Sequence, residues 1–131
     1  MSDRPDGSAR MSYAVPADLR AVRSFVAERT GSLGLAAART ELLTVAVSEL
    51  ATNTLQHTGD GGRVRIWADD GRLCCEVTDR GEAQVFGRAM PAADEPRGRG
   101  LAIVERICDE VSVRQGPDGT SIRVCLFFAE T

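Results

Sequence analysis

The spacing of apolar residues shifts between a helical period and strict alternation along this chain, and each shift marks an element. Leu19, Val22, Phe25 and Val26 recur at helical spacing, which predicts a helix over about 17–30, with Pro16 in its first turn and Gly31 at its end. After the loop Gly31-Ser32-Leu33-Gly34, a second helix is predicted over about 36–57. Leu42, Leu43, Ala46, Leu50 and Leu55 fit its buried side, and Thr58-Gly59-Asp60-Gly61-Gly62 stops it. The period then drops to two. Val64, Ile66 and Ala68 alternate with Arg63, Arg65 and Trp67; Asp70-Gly71 is a hairpin signal; Leu73, Cys75 and Val77 then alternate with Cys74, Glu76 and Thr78. Residues 82–97 carry glycine, two prolines and mixed charges, and read as a loop or lid. Leu101, Val104, Ile107 and Cys108 restore helical spacing over about 100–109. Val111 and Val113 suggest a strand, Gln115-Gly116-Pro117-Asp118-Gly119 a turn, and 120–129 a last strand.

At the start, Met11–Val15 suits a short edge strand, and the polar residues 1–10 are expected to be a disordered tail. The order is helix, helix, hairpin, loop, helix, hairpin, without internal repeat. It predicts one α+β domain over 11–131, a two-layer α/β sandwich in which a mixed, mostly antiparallel sheet carries its helices on one face.

Composition narrows the function classes. With 131 residues the chain buries roughly two thirds of its unfolded surface, enough for a real core. The net charge is −3 and no basic run occurs, so neither a basic face nor direct nucleic-acid binding is expected. No apolar run approaches the roughly 20 residues of a membrane span, and Met1–Arg10 lacks the apolar middle of a signal peptide. A cytoplasmic location without membrane association is therefore expected. The four cysteines show no CxxC spacing and fall in apolar patterns, which predicts free core thiols rather than a zinc site. All 16 basic residues are arginine, which excludes a P-loop lysine, a Schiff-base lysine and a lysine general base.

Against that background, Glu49 and Asn53 stand out. Four residues apart on the second helix, they share one face. A carboxylate can take a proton from a nucleophile, and an amide oxygen is a hard ligand suited to Mg²⁺. Such a pair is common on solvated helices, so its meaning depends on what accompanies it. Asp79-Arg80-Gly81 places at a strand end a carboxylate able to accept from an exocyclic amine, with a glycine that lets the backbone approach a flat ring. Gly98-Arg99-Gly100-Leu101 opens a helix whose free N–H groups and dipole favour an anion, with a guanidinium alongside. Gly119-Thr120 starts the last strand with a hydroxyl able to reach a base nitrogen or a water. Each alone is an ordinary turn, cap or strand start.

Taken in this order, these motifs resemble the GHKL ATPase superfamily, the ATP-binding fold of DNA gyrase, the large heat-shock chaperone, mismatch-repair ATPases and sensor histidine kinases. The resemblance runs over about residues 11–128. Within it, SELATNTLQHT and RGRGLAIVERICDEV are most similar to the anti-sigma-factor serine/threonine kinases of Gram-positive bacteria. The resemblance implies that Glu49 is the general base and that Asn53 holds Mg²⁺ against the phosphates of ATP. Asp79 reads the adenine amine with Gly81 beside the ring. Gly98, Arg99, Gly100 and Leu101 line the phosphate end, and Thr120 supports the adenine. It further implies a homodimer built through the first helix or edge strand, a sigma factor held inactive, and an anti-anti-sigma (STAS-type) protein phosphorylated on Ser or Thr. Arg88 and Arg97 are candidates for the γ-phosphate.

His57, one turn beyond Asn53, can cap the helix C-terminus or orient Asn53. It is not expected to accept phosphate. A non-catalytic module binding nucleotide or a partner is the competing reading, and Glu49 argues against it because binding alone needs no base. A DNA-coupled ATPase is disfavoured by the missing transducer domain and basic face.

Overall fold

In a computed structural model, which describes residues 8–58, 61–79, 96–116 and 119–128, the alternating segments become a five-stranded sheet. Its elements are β1 (Ala9–Tyr13), a 3₁₀ turn (Pro16–Asp18), α1 (Leu19–Ser32), α2 (Ala37–Thr58), β2 (Gly62–Asp69), β3 (Arg72–Asp79), α3 (Pro96–Ile107), β4 (Glu110–Gly116) and β5 (Gly119–Phe127). The strand order is β1-β2-β3-β5-β4. Every pairing among the described strands is antiparallel, where a mostly antiparallel sheet was expected. The chain leaves β3, passes through α3 to the edge strand β4, and returns as β5 between β4 and β3. That route brings the end of β3 beside the start of β5, although 41 residues separate Asp79 from Thr120.

The period-two pattern decides which face is buried. Val64, Ile66, Leu73, Cys75, Val77, Ile122, Val124 and Leu126 point to the helices. They meet Val22 and Val26 of α1, Leu43, Ala46, Val47, Leu50 and Ala51 of α2, and Val104 of α3. The helix α2 lies between α1 and α3 and spans the middle of the layer.

Local chemistry corrects several boundaries. β1 begins at Ala9, inside the expected tail, and ends at Tyr13, because Asp18 turns the chain there: its carboxylate accepts from the N–H groups of Ala14 and Val15 at 2.8 and 3.2 Å. α1 runs through Gly31 to Ser32. Gly34, at φ 100°, terminates it instead, with Gly34 N–H donating to Gly31 O and Leu35 N–H to Thr30 O, the paired bonds of a Schellman motif. α3 starts at Pro96 rather than near 100, since proline is preorganised for the first helical position. Leu42, expected to be buried, is 41% exposed, because the buried arc of α2 runs through Leu43, Ala46, Val47, Leu50 and Ala51 and turns Leu42 and Val45 outward.

The outer face of the sheet holds two features that no local stretch of sequence displays. Cys74 and Cys125 face each other across β3 and β5, with Cα atoms 4.2 Å apart, and form a disulfide. This corrects the expectation of four free thiols, which considered spacing along the chain and not register across strands. Cys75 and Cys108 remain free and buried. On the same face lie Arg10, Arg63, Arg65, Arg114 and Arg123, so the expectation of no basic face is also corrected. Glu76 sits among them, 3.1 Å from Arg65 and 3.4 Å from Arg123, and both guanidiniums cover the Trp67 ring at 4.3 and 4.9 Å from its centre.

Candidate functional site

Five polar side chains are buried on the helix-facing side of the sheet: Thr30, Asn53, Thr54, Asp79 and Thr120. Thr30 is satisfied within α1 and by Thr40, with its hydroxyl donating to Val26 O at 2.8 Å. The other four gather where β3 ends, β5 begins and α2 nears its C-terminus. Burying polar groups is costly unless they are paired, so a buried cluster with unpaired atoms needs an explanation.

Asp79, 3% exposed, closes β3. Its Oδ1 accepts from the backbone N–H of Thr120 at 3.3 Å. Gly119 permits this approach: its φ is 127°, and a Cβ there would collide with the Asp79 carbonyl oxygen. Thr120 is 1% exposed, and its hydroxyl has no hydrogen-bond partner. The structure thus brings together two residues that the sequence suggested separately.

Asn53 is 3% exposed and its amide nitrogen is also without a partner. This buried, unsatisfied amide is unlike the solvated asparagine of an ordinary amphipathic helix. Glu49, one turn earlier, is half-buried, and among the described residues it makes no ion pair. The pair therefore spans the depth of the site, with Glu49 toward its mouth and Asn53 inside. No three His, Cys, Asp or Glu side chains converge among the described residues, so a cation here would rely on Asn53 and on oxygens of a ligand.

Gly98, Arg99, Gly100 and Leu101 lie within the first turns of α3, where backbone N–H groups lack intrahelical acceptors. Their side chains, and those of His57 and Arg97, lie outside the described residues, as do Gly81 and Arg88 entirely.

Two contributors went unnoticed in the sequence. Thr54, next to Asn53, is buried and donates its hydroxyl to Leu50 O at 3.0 Å. Tyr13, at the end of β1, is 3% exposed. Its hydroxyl is pushed up to about 12, first by burial, against a lowering by Thr54 beside it, and further by the charge of Asp79. The available signal was register. Tyr13 pairs with Gly62, and Gly62 pairs with Asp79, so a residue without a side chain separates the two.

A family model described as a histidine kinase-like ATPase domain matches residues 13–126. No curated protein matches the chain. Among solved structures, the RsbU and RsbW domains of Rv1364c from Mycobacterium tuberculosis superpose with a TM-score of 0.73 at 21% identity, covering 97% of this chain and 34% of that one. The histidine kinase domain of the blue-light-activated kinase EL346 from Erythrobacter litoralis gives 0.59 at 21% identity, covering 86% of this chain and 60% of that one. The chain thus spans about a third of the first structure's length and three fifths of the second's.

Proposed function

The chain belongs to the histidine kinase-like ATPase family, and on that premise we propose that it binds ATP with Mg²⁺ and acts as a serine/threonine protein kinase. In this reading Asp79 accepts from the adenine amine, with Gly81 beside the ring and Thr120 supporting it. Asn53 lends its amide oxygen to Mg²⁺, and Gly98, Arg99, Gly100 and Leu101 face the phosphates with N–H groups, the α3 dipole and a guanidinium. Bound Mg²⁺ would neutralise phosphate charge. Glu49 takes the proton from the attacking hydroxyl. Phosphoryl transfer needs mainly positioning and charge neutralisation, so a site without lysine suffices.

The observation that carries this reading is the buried polar cluster: Asp79 fixed by Thr120, beside an Asn53 amide that no protein group satisfies. Such a cluster suits a polar ligand better than a folding core.

The partner belongs to the same proposal. The stretches SELATNTLQHT and RGRGLAIVERICDEV, with the fold-level likeness to an RsbW domain, support a cytoplasmic anti-sigma factor. It would sequester a sigma factor and phosphorylate an anti-anti-sigma protein of STAS type, working as a homodimer. The test is phosphate transfer from ATP–Mg²⁺ to candidate STAS proteins by wild type and by Glu49→Ala. Transfer by wild type alone, with nucleotide affinity retained in the variant, supports the kinase. Nucleotide binding without transfer to any candidate would make it a non-catalytic regulatory module.

A further inference from the structure

Tyr13 takes no part in the scheme above, yet its hydroxyl is buried in the same cluster. It comes from the edge strand, reaches the helix-facing side at the row Tyr13, Gly62, Asp79, and makes no hydrogen bond of normal geometry. Three buried polar atoms in this region therefore lack partners: the Tyr13 hydroxyl, the Asn53 amide nitrogen and the Thr120 hydroxyl.

The direction of the Tyr13 proton follows from its neighbour. Thr54 spends its only hydroxyl proton on Leu50 O at 3.0 Å, so toward Tyr13 it can only accept. The Tyr13 O–H accordingly turns toward Thr54, which leaves its oxygen lone pairs free on the side of Asp79. The phenol stays protonated at neutral pH, so this polarity is fixed.

Resting on the nucleotide reading, we propose that the Tyr13 oxygen is a second acceptor beside Asp79 for the exocyclic amine of a bound adenine, reached directly or through one ordered water. An amine offers two N–H donors, and two acceptors satisfy both. A guanine carbonyl would instead face acceptors alone and leave them unpaired, the situation that gives polar sites their strongest discrimination. Tyr13 is thereby a specificity residue of the base pocket.

The experiment compares Kd values of wild type and Tyr13→Phe for ATP and for purine riboside triphosphate, which lacks the amine. The expected result is an ATP affinity about three- to tenfold lower in the variant, the loss of one hydrogen bond, with purine riboside triphosphate bound equally by both proteins. Equal weakening of both ligands, or of neither, overturns the assignment while leaving the nucleotide reading intact. Failure of wild type to bind either ligand overturns the nucleotide reading itself, and this inference with it. Should Tyr13→Phe not fold, Thr54→Val serves: without its acceptor, the Tyr13 proton turns toward the pocket. ATP alone is then expected to weaken, and equal effects on both ligands overturn the proposal.

Discussion

The backbone N–H of Thr120 donates to Asp79 Oδ1 at 3.3 Å, joining the start of β5 to the end of β3. The bond orients the carboxylate from the protein side, so the rotamer of Asp79 is set before a ligand arrives. Asp79→Asn keeps the shape and removes the charge. It is expected to lower ATP affinity about ten- to a hundredfold, the worth of a hydrogen bond to a charged group. Its melting temperature should shift far less than its binding isotherm, as measured by scanning and titration calorimetry.

Glu49 and Asn53 should separate chemistry from binding. Glu49→Ala is expected to retain nucleotide and to lose phosphate transfer about 10²- to 10⁴-fold, the usual worth of a positioned base. Asn53→Ala should lose the Mg²⁺-dependent part of ATP binding while affecting metal-free binding much less. Titrations with Mg²⁺ and with a chelator present distinguish the two. A Glu49 variant as weak in binding as the Asn53 variant would contradict this division.

Tyr13 is the only tyrosine, so tyrosinate absorbance reports it alone. Its midpoint is expected at about 12 rather than 10 in the folded protein. A raised folded pKa means that its contribution to stability is fully present below pH 10 and fades as pH climbs toward 12. Unfolding titrations of wild type and Tyr13→Phe should converge across that window. Parallel curves would place the tyrosine in solvent.

The Cys74–Cys125 disulfide closes a loop with a sequence separation of 51 residues. Reduction is expected to cost about 2–4 kcal/mol of stability, read from denaturant midpoints with and without reductant. The double variant Cys74→Ser with Cys125→Ser should respond to reductant no further. Cys108, pushed up to about 12 chiefly by burial, and Cys75, raised further by burial, should resist alkylation in the native state.

Much of this architecture was legible because β2, β3 and β5 bury one face and α1 and α2 bury one stripe, and each leaves its own period in the sequence. The boundaries slipped where one side chain decides them: Asp18 at the end of β1, Gly34 after α1, Pro96 before α3. Leu42 misled because hydrophobicity along a helix does not fix which edge of the buried arc reaches solvent. The disulfide and the arginine face were hidden for a common reason. Arg10, Arg63, Arg114 and Arg123 lie far apart in the chain, and only strand order and register make them neighbours. At the site, Asp79 and Asn53 announced themselves by motif. Tyr13 and Thr54 did not, because their significance lies in facing each other across a glycine and a helix turn.

The bond between Cys74 and Cys125 also divides the molecule into a frame and an excursion. Both ends of the excursion, at Asp79 and at Thr120, belong to strands that are covalently locked, while α3 and its glycines hang between them. The base-reading half is thus anchored independently of the phosphate-facing half. Family members can therefore diverge in the segment between β3 and β4, altering how phosphate is handled or who is allowed to approach, without relearning how to recognise the base.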